Sequence, residues 1–279
     1  MRTEPFESSV KLTNEGELAF FFVGTGSAFS KINFQTNLIA IKGNNHLLID
    51  CGTMCPYALE NNYNTRLSNI RNVLLTHPHA DHIGGVEELM LKGRYVNNAK
   101  VNIIITKEFK KKLWNESLRG GCQYSESGIM TFEDYFSPRF PEKILKKPFD
   151  VYEINHGTMN LKIFRTKHVT TRPDSFKDSQ ISYGILFDEK VLFTGDTQYN
   201  YFQLQWFLEK YPSIELIIHD CDVMGYSEGV HASYKQLKQL PAEIKQKTML
   251  VHYNSAAQKV SPAEDGFIGF VKPGIYYCF

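Results

Sequence analysis

The segment Thr76-His77-Pro78-His79-Ala80-Asp81-His82-Ile83-Gly84-Gly85 constrains this chain more than any other. An apolar, β-type run over 73–76 ends at it, and two glycines then open a helical pattern. Three imidazoles and one carboxylate fall within six positions, in a chain with nine His in all. Four such donors on one tight loop converge only if something positive sits among them. Neutral imidazole nitrogen and carboxylate oxygen are what Zn²⁺ accepts in catalytic sites.

Other donors follow apolar runs further along. His168 comes after 161–167, Asp196 after 191–194 in Phe193-Thr194-Gly195-Asp196-Thr197, and His252 closes 248–252. An α/β scaffold places its functional groups at such strand ends. Each is weak alone; in this order they support one another.

The rest of the chain reads as β-rich runs followed by helices. Strands are expected over 18–23, 37–41, 47–50, 73–76 and 101–106, then 151–155, 161–167, 182–187, 191–194, 215–219 and 248–252. Gly43-Asn44-Asn45 and Asp188-Glu189-Lys190 read as tight turns. Helical patterns cover 85–93, 107–118, 200–211 and 233–240. No linker, repeat or charge block divides the chain. We therefore expect one domain, 1–279, with two similar β-then-α halves, most simply two sheets packed face to face with helices outside. The stretch 119–148, rich in Gly, Ser, Pro and aromatics, suits a lid or an interaction arm.

Composition removes several classes of function. Hydrophobic residues at 42% and charged residues at 22% exclude wholesale disorder, collagen and coiled coil. A chain of 279 residues buries roughly three-quarters of its unfolded surface, so a bound metal is for chemistry rather than folding. A net charge of +1 lacks the basic footprint of a dedicated nucleic-acid binder. The longest strongly apolar run, 18–23, is too short to span a bilayer. No apolar signal region follows Met1, and the five Cys (Cys51, Cys55, Cys122, Cys221, Cys278) are odd in number and scattered. A cytoplasmic protein with reduced thiols is expected.

His-x-His-x-Asp-His, then a distant His, a Gly-Asp and a C-terminal His resemble the metallo-β-lactamase fold. So do Phe22-Val23-Gly24-Thr25-Gly26-Ser27 and Leu48-Ile49-Asp50-Cys51-Gly52, and the resemblance extends over most of the chain. It implies an α/β four-layer αββα sandwich holding two Zn²⁺, with Mn²⁺ as the alternative. His77, His79 and His168 would hold one ion; Asp81, His82 and His252 would hold the other; Asp196 would bridge them. Asp50 would orient the metal loop by hydrogen bonds.

Asp196 fits the glyoxalase II and phosphodiesterase branches rather than a true β-lactamase. Gly229-Val230-His231-Ala232-Ser233-Tyr234 is similar to the His-Ser/Thr segment of the ribonuclease Z branch. That likeness implies His231 as general acid and Asp220 as the residue orienting it. In that branch the acid is a Glu within His-Glu-Ala; here Ile218-His219-Asp220-Cys221-Asp222 has Asp. Enzymes that process tRNA precursors carry a long arm before the bridging Asp. Only positions 169–195 lie between His168 and Asp196, and a hairpin takes much of them. Long nucleic acid is thus disfavoured as substrate. The chain most resembles the phage anti-Pycsar phosphodiesterases, which degrade cyclic nucleotide immune signals. Their likeness implies hydrolysis of a small 3′,5′-cyclic nucleotide to the 5′-monophosphate, a homodimer, and action in the host cytoplasm. Asp81 would also orient the attacking hydroxide. A tRNA 3′-processing endonuclease and a glyoxalase II-type thioester hydrolase are the alternatives.

Gly24-Thr25-Gly26-Ser27 could offer N–H groups to a phosphate, though a plain strand-to-loop turn is the simpler reading. Phe29, Phe34, Phe176 and Tyr226 lie on irregular segments and could stack on a base; ordinary packing is the simpler expectation for each.

Overall fold

A computed structural model describes residues 1–171, 175–227 and 229–279. The chain forms two compact units that interleave along the sequence. The first takes Met1–Gly24, Phe34–Pro141 and Pro273–Phe279; the second takes Thr25–Asn33 and Glu142–Lys272. Each is built on one eight-stranded mixed sheet.

In the first unit the sheet runs Arg2–Pro5, Ile275–Cys278, Ala19–Gly24, Asn37–Lys42, Asn45–Ile49, Asn72–Leu74, Val101–Ile104 and Phe136–Arg139. Pairing is antiparallel as far as Asn45–Ile49 and parallel beyond it. Ala19–Gly24 reads Ala-Phe-Phe-Phe-Val-Gly and is buried at every position. A strand apolar on both faces belongs in a sheet that is covered on both faces. Helix Val86–Tyr95 buries Val86, Leu89, Met90 and Gly93, the i, i+3, i+4, i+7 stripe of an amphipathic helix.

In the second unit the sheet runs Glu142–Leu145, Val151–His156, Met159–Arg165, Tyr183–Phe187, Val191–Phe193, Leu216–Asp220, Thr248–Val251 and Gly269–Phe270. The first five strands form an antiparallel meander and the last four pair in parallel. Its core centres on Phe149, Phe164, Phe207, Leu186, Ile217 and Leu250. Helix Tyr201–Lys210 is capped by Asn200, whose side chain accepts the Gln203 N–H, and buries Leu204 and Phe207.

Strand direction places the chemistry. Val191–Phe193, Leu216–Asp220 and Thr248–Val251 run in parallel, so their carboxyl ends share one edge. Met159–Arg165 runs the same way, two antiparallel steps removed. Asp196, Asp220, His252 and His168 therefore emerge on the same side of this sheet. In the first unit Asn45–Ile49 and Asn72–Leu74 are parallel neighbours, which brings Asp50 beside Thr76 and His77.

The stretch 119–148 is more regular than its composition suggests. It holds helix Arg119–Cys122, a hairpin of Tyr124–Ser125 and Gly128–Ile129, helix Phe132–Tyr135, and then Phe136–Arg139 and Glu142–Leu145, an edge strand for each sheet. Its aromatics are the reason: Phe132, Tyr135 and Phe136 are core residues, and a Thr131–Asp134 capping box starts the helix. All five Cys are buried free thiols. Among the described residues no helix is long and apolar enough to cross a membrane.

Candidate active site and metal centre

In the first unit the metal-type loop is held by backbone bonds to the segment after Asn45–Ile49. Cys51 N–H donates to His82 O at 2.8 Å, Gly85 N–H to Cys51 O at 2.8 Å, and Thr53 N–H to Ala80 O at 3.2 Å. The two segments approach so closely that a Cβ on Gly52 would lie 1.9 Å from the Asp81 carbonyl oxygen. That contact explains the glycine of Asp-Cys-Gly.

Asp50 organises the loop. Its buried carboxylate accepts the Thr76 N–H at 2.7 Å and the Thr76 hydroxyl at 2.7 Å, and lies 2.7 Å from His82 Nδ1. Since the Thr76 proton points at Asp50, the Thr76 oxygen accepts from His77 Nδ1, 3.0 Å away. Both rings thus carry hydrogen on Nδ1 and present an Nε2 lone pair. His77 Nε2 lies 3.0 Å from His79 Nδ1, and His82 Nε2 lies 3.2 Å from an Asp81 oxygen. Burial pushes the Asp50 carboxyl up; the His82 imidazole and the Thr76 hydrogen bonds pull it back only in part.

The second unit repeats this logic from separate strand ends. His168 Nδ1 donates to Val230 O at 2.9 Å, and its Nε2 faces Asp196, whose oxygen is 4.0 Å away. Burial pushes the His168 imidazolium down to about 4, so the ring is neutral near pH 7. Ser179 Oγ braces the backbone there, accepting His168 N–H at 2.9 Å and donating to His168 O at 2.7 Å. His252 Nε2 lies 3.4 Å from Asp196, and its Nδ1 lies 3.5 Å from Asp220 Oδ1. Donor atoms of Asp196, Asp220, His231 and His252 all lie within 4.8 Å of one another.

Within that group His231 and Asp220 form a tight pair, Nδ1 to Oδ2 at 2.7 Å. Thr197 N–H also donates to this oxygen, at 2.9 Å. Burial pushes the Asp220 carboxyl up, but the facing His231 and its hydrogen bond win and hold it at about 2. Burial likewise pushes His231 down, and the Asp220 charge and hydrogen bond raise it above the ordinary imidazole value. With Nδ1 committed to Asp220, His231 has Nε2 for proton transfer.

These donor sets fit divalent metal. His77, His82 and His168 each have one ring nitrogen fixed by a protein acceptor, which orients the other as a lone pair, the arrangement of metal-ligating imidazoles. Three rings packed together, His77 to His82 at 4.0 Å and His77 to His79 at 4.7 Å between centroids, would repel if all were charged.

Thr76 and Asp222 were not singled out by sequence reasoning. Thr76 is the relay that sets the His77 tautomer. Asp222 is buried and shapes the loop before His231, accepting Met224 N–H at 3.0 Å and Ser227 N–H at 2.7 Å. A short polar residue followed by Gly and Ser is a turn signal that could have marked it. His219 is buried with Nδ1 donating to the Asp220 carbonyl at 2.7 Å. The 24–27 turn is no phosphate cradle at two of its positions: Thr25 N–H is taken by Asn33 O and Ser27 N–H by Tyr253 O.

The fold is shared with solved metallo-β-lactamase-fold proteins. The YhfI structure from Bacillus subtilis covers 94% of this chain and 100% of its own at TM-score 0.65 and 15% identity. The human short-form tRNase Z covers 93% and 98% at TM-score 0.63 and 14% identity. The chain thus has the metallo-β-lactamase fold, of the αββα class. The family model described as Anti-Pycsar protein Apyc1 matches residues 18–277, and the chain belongs to that family. An Apyc1 from Paenibacillus xerothermodurans is 29% identical over 92% of this chain and 96% of its own length. One from Bacillus phage vB_BsuM-Goe3 is 32% identical over 85% and 89%.

Proposed function

We propose that this chain hydrolyses 3′,5′-cyclic nucleotides to 5′-monophosphates with two zinc ions. As a member of the Apyc1 family it is a cyclic nucleotide-degrading phosphodiesterase that counters Pycsar immunity. The observation that carries the catalytic reading is the Asp220–His231 pair beside Asp196 and His252.

The metal ligands we assign are His77, His79, Asp81 and His82 in the first unit and His168, Asp196 and His252 in the second. Zinc suits this imidazole-rich set better than the oxygen-preferring cations. Divalent metal held there supplies Lewis acidity toward the phosphoryl oxygens. The protein's own groups do the rest. Asp81 orients the attacking water, whose proton passes to solvent as its oxygen forms the new bond to phosphorus. As the P–O3′ bond breaks, His231 Nε2 gives its proton to the leaving 3′-oxygen. Asp220 holds the Nδ1–H and stabilises the imidazolium before transfer. A ribose alkoxide needs that proton far more than a thiolate does, so His231 separates this reading from a thioester hydrolase. We also read the protein as a homodimer acting in the host cytoplasm; sedimentation at micromolar concentration tests the dimer.

The test is nucleotide release by zinc-loaded and manganese-loaded protein from 3′,5′-cyclic AMP, GMP, CMP and UMP, beside a tRNA precursor. Conversion to 5′-monophosphates with intact tRNA is expected. Inert cyclic nucleotides with cleaved tRNA would overturn the reading in favour of a 3′-processing endonuclease.

A further inference from the structure

We propose that Phe29 and Tyr226 stack on the nucleobase of the substrate while its phosphodiester lies at His231; this rests on the phosphodiesterase reading above. A cavity of about 720 Å³ opens in the second unit, lined by segment 27–33 and by Asp222, Tyr226, Ser227, His231 and His252, among others. That volume is in the range of small-molecule sites.

Its rim carries exposed apolar surface. Phe29, Tyr226 and Ile32 are 88%, 82% and 81% exposed, the three most exposed large hydrophobics among the described residues. All three line this one cavity. Scattered singly, such residues need no explanation; gathered on one rim, they mark a ligand surface.

Both loops are built rather than loosely hung. Thr25 N–H donates to Asn33 O at 3.0 Å and Ser30 N–H to Ser27 O at 2.9 Å, closing the first loop on itself. His252 N–H donates to Thr25 O at 2.8 Å, and Ser27 N–H to Tyr253 O at 3.1 Å, tying it to the segment that carries His252. In the second loop Asp222 holds the Met224 and Ser227 amides, and His231 N–H donates to Ser227 O at 3.0 Å. Each aromatic therefore stands on a loop hydrogen-bonded to a histidine of the proposed chemistry.

A cyclic nucleotide has two parts of opposite character. His231 serves the phosphodiester, and a flat base takes an aromatic face whatever its hydrogen-bonding edge. Phe34 and Phe176 drop out as candidates. Phe34 is half-buried with its ring 6.3 Å from Tyr57, and Phe176 packs at 5.6 Å against Phe149.

The test pairs kinetics with binding. Substrates are 3′,5′-cyclic AMP and base-free ribose 3′,5′-cyclic phosphate; a slowly hydrolysed phosphorothioate of cyclic AMP serves for equilibrium dialysis. Phe29→Ala and Tyr226→Ala should each raise KM for cyclic AMP, and Kd for the analogue, by about 5- to 150-fold, the span of stacking one base. The preference for base-bearing over base-free substrate should shrink by a similar factor. Phe29→Trp and Tyr226→Phe should restore it. Phe202→Ala, an exposed aromatic on helix Tyr201–Lys210, should change neither constant. If both alanine variants keep wild-type KM and Kd while wild type cleaves cyclic AMP, the stacking assignment fails and the phosphodiesterase reading stands. If wild type binds the analogue through these rings yet cleaves no cyclic nucleotide, the phosphodiesterase reading fails instead. Equal KM losses on both substrates, with a dimer becoming monomer in sedimentation, would assign the rings to a second copy of the chain and overturn the stacking assignment.

Discussion

The two units assemble similar chemistry by opposite routes. In the first, His77, His79, Asp81 and His82 come from one loop, and a single carboxylate, Asp50, orders it through Thr76 and His82. In the second, His168, Asp196, Asp220 and His252 come from four strand ends, each braced by its own partner, such as Ser179 for His168 and Thr197 for Asp220. A contiguous loop needs one local brace. A dispersed set needs strand direction and register to be right across a whole sheet. The first design should fail all at once when its brace is removed, and the second one residue at a time.

The largest effect should come from the dispersed unit, at the one residue we assign to proton transfer. His231→Ala should lower kcat by roughly 10²- to 10⁴-fold with metal content by atomic absorption unchanged. Loss of metal would make His231 a ligand rather than an acid. Gly52→Ala should come next. Its Cβ would meet the Asp81 carbonyl at 1.9 Å, so the loop must shift. We expect a loss of about 3 kcal/mol in urea unfolding, with metal lost as well. A stable, metal-replete variant would refute the single-contact account of the loop.

Asp50→Ala should weaken metal binding by about 10- to 100-fold, read by competition with a chromophoric chelator. It should disturb His77 and His82 together, because both tautomers trace back to one carboxylate. Ser179→Ala, by contrast, should disturb His168 alone, a difference that imidazole NMR shifts can resolve. The smallest effect on the metal site should be that of Asp222→Ala, which removes the hydrogen bonds from Met224 N–H and Ser227 N–H to a carboxylate, about 1.5–3 kcal/mol each. It should reduce kcat while leaving metal affinity unchanged.

The same contrast explains what was legible in the sequence. The loop donors were legible because four of them fall within six positions. His168, Asp196 and His252 were legible only as a series in the order of a known family, since one His or Asp at a strand end is more often a cap. The pairing of His231 with Asp220 was inferred from family likeness. Its 2.7 Å geometry joins two residues eleven positions apart, one of them the last residue of strand Leu216–Asp220. In region 119–148 the Gly, Ser and Pro content drew attention away from three aromatics, Phe132, Tyr135 and Phe136, that are buried.

Residue types and local spacing determined the donor chemistry and the strand-to-helix loop, because ligand convergence acts there over a few residues; the need for glycine at 52 comes from its contact with Asp81, distant in the chain. The ring tautomers, the Asp220–His231 pair and the exposure of Phe29 and Tyr226 were decided by the fold. Whether an aromatic is packed or presented depends on what surrounds it, and those neighbours are distant in sequence. Phe176 and Phe29 look alike in the chain, yet one lies against Phe149 and the other stands open at the cavity rim.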